Sequence, residues 1–313
     1  MAKKLVNTKE ISHEQWLELR KKSLGGSDAG TVMGMNQYSS LITLYANKKG
    51  LSKPVEDNEA MRLGRDLEQY VAERYMESTG KTVRNDNFMY VHCKCPYITA
   101  NIDRRIVGEN AGLECKTMSS FSGYNLEAGE IPGQYYCQVQ HYMMVMGFDY
   151  MDLAIMVFQR GVFVIHIERN EEFINELLAA EIDFWENYIE KDIMPAVDGS
   201  ESSLDTLKEL YPKADPDTEV EISGLDQMVE EYKALSEMSK DYEERKKAVQ
   251  GRICAMLGSN EVGIGDRYGV SWKQQDKCSV NMSMLKEKYP EIYKECSSIS
   301  SYRVFRTKKF KKK

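Results

Sequence analysis

No stretch of this sequence reaches the roughly 18 apolar residues that a membrane-spanning helix requires, so such a helix is excluded. The opening "MAKKLVNTKE" carries no apolar core of a signal peptide, and secretion is not expected. Cysteine is sparse and odd in number, seven at scattered spacings, which reads as reduced thiols of a cytoplasmic protein. No C-x-x-C pair completes a zinc site, and the C-x-C of Cys93 and Cys95 is a weak metal signal alone. With four histidines, no Ser-His-Asp or Cys-His arrangement emerges; His92 and His166 fall in apparent strands and read as structural. The three tryptophans, Trp16, Trp185 and Trp272, read as packing anchors. The chain also lacks the Gly-Lys-Ser/Thr ending of a nucleotide loop and a G-x-G-x-x-G after a strand.

Positive charge is scarce on average, with a net charge of -7, but it is segregated. Residues 168–231 hold twenty Asp/Glu against four Lys/Arg and read as solvated helical faces. Residues 1–50 hold eight Lys/Arg against four acids, and residues 301–313 hold seven with no acid. Phosphate contacts need local positive potential rather than a positive average, so the ends are compatible with DNA.

The periodicity predicts alternating helix and strand. "SHEQWLELRKKS" reads as a helix capped by Ser12, "DAGTVMGMN" as a second and "SLITLYANKKGL" as a third. "NEAMRLGRDLEQYVAERYMESTG" reads as an amphipathic helix with Leu63, Leu67, Val71 and Tyr75 inward and Gly80 as its stop. "NFMYVHC", "YITANIDRRIV" and "AGLECKT" read as strands, the last two a hairpin through "GENAG". A helix, "PGQYYCQVQHYMMVMGF", a strand pair over 150–169 and a long helix to Pro195 follow. The expected organisation is a core over 1–195, a linker over 196–222 and an extension over 223–313. In the extension, Leu225, Met228, Tyr232, Leu235, Met238 and Tyr242 recur near every 3.5 positions. That pattern suits a helix packed on a partner helix or within its own chain. "VGIGDRYGVSWKQQ" with "SYRVFRTKKF" predicts a small antiparallel sheet.

Two places carry chemistry. In "NIDRRIVGENAGLECKT", period two puts Glu114 and Lys116 on one face of a strand while Leu113 and Cys115 turn to the core; Asp103 comes from the neighbouring strand. Carboxylates from adjacent strands suit a hard cation such as Mg²⁺, and a neighbouring ammonium can orient water or steady charge on phosphate. The plain alternative is a surface ion pair. In "RKKSLGGSDAGTVMGMNQY", Gly25 and Gly26 let backbone amides approach an anion, Ser27 can donate from a helix cap, and Arg20 can add a fork. Asp28 beside such a site would repel an anion unless turned into the cap. The alternative here is a tight helix–helix turn with no ligand.

In series, "RKKSLGGSDAGTVMGMNQYSS", "MRLGRDLEQYVAERY", "NIDRR…LECKT" and "YYCQVQHYMMVMGF" resemble the YqaJ-like viral recombinase nucleases, relatives of the phage lambda exonuclease within the restriction-endonuclease-like superfamily. The resemblance spans about residues 12–195. It implies an α/β, restriction-endonuclease-like core: a central mixed β-sheet flanked by helices, here with a C-terminal long helix and small sheet. It further implies that Glu68, Asp103 and Glu114, with the Cys115 carbonyl, hold Mg²⁺ or Mn²⁺, two ions per site, and that Lys116 positions the attacking water. Gln138 is the glutamine implied to contact the site, with Gln140 as the alternative, and Arg20 and Ser27 are implied to hold a DNA 5′-phosphate. The implied activity is 5′→3′ digestion of double-stranded DNA ends in a phage-infected bacterial cytoplasm, leaving 3′ strands for a single-strand annealing protein. A homo-oligomer, such as a ring trimer around DNA, is implied as well. The rival readings are a structure-selective endonuclease of the same fold and a non-catalytic DNA-binding or assembly protein. An iron–sulfur nuclease is disfavoured because Cys254, Cys278 and Cys296 are too dispersed.

Overall fold

Ser12 begins the first helix by a reciprocal cap: its hydroxyl accepts from the Gln15 amide while the Gln15 side chain accepts from the Ser12 N–H. In the computed structural model, which describes residues 2–53, 57–119, 124–216 and 218–309, strand β1 (Lys3–Asn7) precedes this helix, α1 (His13–Lys21). Helices α2 (Gly26–Val32), α3 (Leu41–Lys48) and α4 (Glu59–Thr79) follow, and Gly80 ends α4 at φ +71, a left-handed backbone that glycine adopts freely. Val71, Ala72 and Tyr75 are buried as expected of α4, but Leu63 is exposed: the first turns of the helix project past the core.

Next come β2 (Val83–Asn85), β3 (Phe88–Val91), β4 (Thr99–Ala100), β5 (Arg104–Ile106) and β6 (Ala111–Met118). The segment expected as one strand over "YITANIDRRIV" is therefore two. Its first part pairs with β3 in a three-stranded sheet, β1-β3-β4, and its second joins the main sheet, so the chain bends at 101–103 to serve both. Helix α5 (Gly133–Met146) connects β6 to β7 (Tyr150–Val157); β8 (Gly161–Glu168) and α6 (Glu171–Phe184) follow, α6 running on through a π-turn to Ile189. The main sheet has the order β2-β5-β6-β7-β8, antiparallel except for the parallel β6–β7 pair that α5 bridges. This is the expected α/β class, a central mixed sheet flanked by helices.

Alternation along β6 and β7 sorts the two faces. Leu113, Cys115 and Ala154 pack with Val71, Ala72 and Tyr75 of α4, whereas Leu153 and Ile155 pack with Val139 and Met143 of α5. The α5 face is the one that carries Glu114 and Lys116, paired in register with Leu153 and Ile155. Helix α2 lies tightly on α5: a Cβ at Gly30 would stand 2.8 Å from the Gln134 Cα, and one at Gly26 would stand 2.5 Å from the Tyr142 ring. Gly30→Ala meets backbone that cannot turn aside, and is expected to cost about 1–3 kcal/mol, read as a lower denaturant midpoint at unchanged slope.

The stretch expected as a linker contains α7 (Glu201–Leu210), whose Ser203 and Thr206 are buried and whose Thr206 hydroxyl lies 2.7 Å from that of Thr43 on α3. The first compact unit therefore extends to Pro212. The second, from Lys213, holds α8 (Leu225–Leu257), the hairpin β9 (Val262–Ile264) and β10 (Gly269–Ser271), and short helices α9 (Met282–Lys288) and α10 (Pro290–Cys296). Residues 301–309 add no strand to that hairpin, and the basic residues Lys311, Lys312 and Lys313 lie outside the described residues. Trp185 is buried as an anchor, whereas Trp272 is exposed and Trp16 is half-buried. The described cysteines are free thiols, and no described helix is long and apolar enough to cross a membrane.

Candidate active site

Strand alternation brings Glu114 and Lys116 into the same cleft, and their side chains meet at 2.6 Å. Asp103 arrives just before β5, where its Oδ2 accepts the Cys115 backbone N–H at 2.8 Å and so locks the hairpin's two strands together. From α5, Gln138 donates through Nε2 to Glu114 Oε1 at 2.7 Å and to the Tyr142 hydroxyl at 3.0 Å. Thus Oε1 of Glu114 is engaged twice, by Lys116 and by Gln138. Its other oxygen, Oε2, is buried with no hydrogen-bond partner. The Gln138–Gln140 alternative resolves in geometry: Gln140 donates instead to the Glu168 carbonyl at 2.8 Å and accepts the Asn170 N–H at 3.0 Å, far along a structural seam.

The electrostatics are those of a crowded anionic site. Burial, then the Glu114 and Glu68 carboxylates, raise the Asp103 pKa well above its ordinary value. Burial alone would lower that of Lys116, but Glu114 and Asp103 outweigh it and hold the ammonium charged. Burial also pushes the Cys115 thiol up, so it stays a neutral core side chain and only its backbone faces the site.

Glu68 reaches the same cleft from α4, but its carboxylate is ion-paired with Arg104, whose guanidinium also donates to the Asp103 carbonyl at 2.8 Å and to Gln69 at 3.2 Å. Among the described residues no three His, Cys, Asp or Glu side chains stand ready-gathered to hold a metal ion. What is in place is a pair of hard oxygen donors, Asp103 and Glu114, with an orphaned Glu114 oxygen and a proton-loving Asp103. Both conditions fit a divalent cation, which prefers oxygen ligands and supplies the charge that burial withholds. Glu68 would complete the set on release from Arg104.

The glycine-rich loop opens into this same cavity of about 470 Å³, which Arg20, Ser27, Glu68, Asp103, Glu114 and Lys116 all line. Arg20 donates to the Ser27 hydroxyl at 2.6 Å. The helix cap is Gly25 rather than Ser27, which occupies the second position of α2. Asp28 is turned into the cap, accepting the Gly25 N–H at 2.9 Å, and Lys48 neutralises it at 2.7 Å. Burial alone would raise the Asp28 pKa; Lys48 and Arg20 outweigh it and keep Asp28 ionised. Lys48, buried and also donating to the Arg20 carbonyl at 2.9 Å, is the residue that makes a carboxylate tolerable beside an anion pocket.

Neither Lys48 nor Arg104 is evident from sequence; a basic residue at a helix end or beside an acid ordinarily signals solvent. Trp16 lines the cavity with the Arg20 guanidinium 5.2 Å from its ring, so it belongs to the site and not to the core. Of the α5 aromatics, Tyr142 and His141 are buried, and Tyr135 sits with its ring 5.4 Å from the Lys116 ammonium. Other buried carboxylates are committed elsewhere: Asp152 to Tyr75, Lys81 and His166, and Glu181 to His141.

Residues 15–149 match the family model described as the YqaJ-like viral recombinase domain, a span that includes the glycine-rich loop, Glu68, the hairpin and α5. Over 309 residues the chain is 31% identical to "Uncharacterized protein YqaJ" of Bacillus subtilis (strain 168), covering 97% of each chain. Among solved structures, an alkaline exonuclease from Laribacter hongkongensis aligns with a TM-score of 0.49 at 22% identity, covering 57% of this chain and 94% of that one. A phage related exonuclease from Haemophilus somnus 129PT aligns with a TM-score of 0.44 at 13% identity, covering 54% and 96%.

Proposed function

The chain belongs to the YqaJ-like viral recombinase family, and from that premise we propose that it is a metal-dependent DNA exonuclease that degrades duplex ends in the 5′→3′ direction. One observation carries the reading. Glu114 is pinned through one oxygen by Lys116 and Gln138 while its other oxygen is buried and unpartnered in a cavity that also holds Asp103.

When bound by Asp103, Glu114, the Cys115 carbonyl and Glu68, Mg²⁺ or Mn²⁺, as one ion or two, would supply charge neutralisation and Lewis-acid activation of water and phosphate. The chain's own groups do the rest. Gln138 fixes the Glu114 rotamer. Lys116, held charged, orients the attacking water and steadies negative charge gathering on the phosphate oxygens. Arg20, aided by Ser27 and the amides at Gly25 and Gly26, holds the terminal 5′-phosphate. The 3′ strand left behind would pass to a single-strand annealing protein in the cytoplasm of a phage-infected or lysogenic bacterium, with the enzyme acting as a homo-oligomer, such as a ring around DNA.

End-labelled linear duplex tests this reading. With Mg²⁺, label at the 5′ end is expected to appear first in mononucleotides, and 5′-phosphorylated ends to be digested faster than 5′-hydroxyl ends. Arg20→Ala removes a charge-assisted contact, so the preference should shrink by about 10- to 100-fold. Equal rates on both ends in the wild type would overturn the phosphate pocket, and cutting of covalently closed circles would turn the assignment to an endonuclease. Failure of both digestion and Mg²⁺ or Mn²⁺ binding by calorimetry would leave a DNA-binding protein.

A further inference from the structure

The longest described helix is left almost wholly bare, its apolar seam included. Within the second unit, α8 runs for 33 residues, a length of about 50 Å. Nine large apolar side chains, from Leu225 to Met256, are 37–88% exposed, while Val229 and Cys254 are partly buried and Leu257 is buried. All of the nine but Met238 fall on two positions of a seven-residue repeat. One core position is filled by Met228, Leu235, Tyr242, Val249 and Met256, the other by Leu225, Tyr232, Ser239, Lys246 and Ile253. The positions opposite this seam hold Glu230, Glu237, Glu244 and Gly251, as the outer face of a coiled coil should. The bare seam amounts to roughly 1,000 Å² per helix, enough for one side of a stable interface.

We propose that α8 pairs antiparallel with the α8 of a second copy of this chain. Charge selects both the partner and the direction. Residues 225–239 carry four acids and one base, whereas 240–257 carry five bases and three acids. A parallel pair, or a parallel three-helix bundle, would stack Lys246 on its own copies in the core and lay acidic half beside acidic half. The antiparallel pair sets acidic half against basic half. It places Leu225 opposite Met256, Met228 opposite Ile253 and Tyr232 opposite Val249. Lys246 then lies across Leu235, where its methylene stem covers the leucine and its ammonium reaches water. At the flank Glu231 faces Arg252 of the other copy, twice by symmetry.

The chain's own C-terminal segment touches this seam through Phe305, whose ring centroid is 5.3 Å from that of Tyr232, yet Tyr232 remains half exposed. A two-fold contact joins assemblies in pairs and does not itself build a ring. It stands independently of the nuclease reading.

Sedimentation of the full chain at micromolar concentration tests the pairing, with circular dichroism to confirm retained helix. Leu235→Asp is expected to halve the wild-type mass. Glu231→Lys and Arg252→Glu, both surface changes that leave folding intact, should each weaken association at least tenfold, more so at low salt, and the double variant should restore it. A wild-type mass that Leu235→Asp leaves unchanged overturns the pairing, with either the chain's own tail or no partner on the seam. Charge variants whose combination stays as dissociated as the singles overturn the antiparallel direction.

Discussion

Glu114→Ala is expected to stop digestion of linear duplex almost entirely, by about 10³-fold or more in kcat, and Lys116→Ala to do nearly as much. The two should not add. Both act on one water and one phosphate through the same 2.6 Å contact, so the double variant falls little below either single. Calorimetry separates the roles: Glu114→Ala removes a cation ligand and should weaken Mn²⁺ binding, whereas Lys116→Ala removes a positive charge beside the site and should leave that binding intact or tighter. Gln138→Ala tests the same wiring more gently. It frees the Glu114 rotamer without removing a reacting group, and a loss of about 10- to 100-fold is expected. Retained wild-type digestion by Glu114→Ala or Lys116→Ala would sink the site.

The largest stability effect is expected elsewhere, at His141 and Glu181. Both are fully buried; Nδ1 of His141 lies 2.7 Å from Glu181 Oε1, and Nε2 lies 2.8 Å from the Thr99 carbonyl. Both neighbours are acceptors, so both ring nitrogens must donate, and the imidazole is held protonated. Burial alone would lower its pKa, but the Glu181 carboxylate and the Thr99 carbonyl outweigh it and raise the value above that of a free histidine. A folded-state value raised above the unfolded one adds stability that is complete below about pH 6.5 and is lost as pH rises through the folded value. The melting temperature should therefore decline as the pH is taken up from 6.5. Glu181→Ala leaves a buried cation unpaired and should cost about 3–5 kcal/mol. Glu181→Gln should cost less and flatten the pH dependence; an unchanged slope in that variant would show that the pair is not its source.

The hairpin was legible because a strand's two-residue period assigns faces without ambiguity, and Glu114 and Lys116 fall together on that count alone. The α5 glutamines were not, for a physical reason: Cys137 through Val145 are all buried, so the helix has no polar face by which to place Gln138 or Gln140. Only a fold that sets α5 across β6 separates them. Arg104 and Lys48 were hidden by adjacency, each a basic residue whose partner, Glu68 or Asp28, lies many positions away. Helix α7 escaped because what it buries is Ser203 and Thr206 rather than an apolar stripe. In contrast, the alternation in "SYRVFRTKKF" was real as a pattern but finds no strand to pair with over 301–309.

Helix α5 touches both halves of the candidate site. Its Gln138 grips Glu114, its Tyr142 fills the space above Gly26, and its Gln134 lies against Gly30 with no room for a methyl group. Helix α2, which carries Ser27, is thereby mounted on the same helix that grips Glu114. Under the proposed activity this becomes a statement about product length: the span between the gripped terminus and the cleaved bond cannot breathe, so the enzyme should release fragments of uniform size. Loosening the mount, as Gly30→Ala would, should show up first as a ragged product ladder.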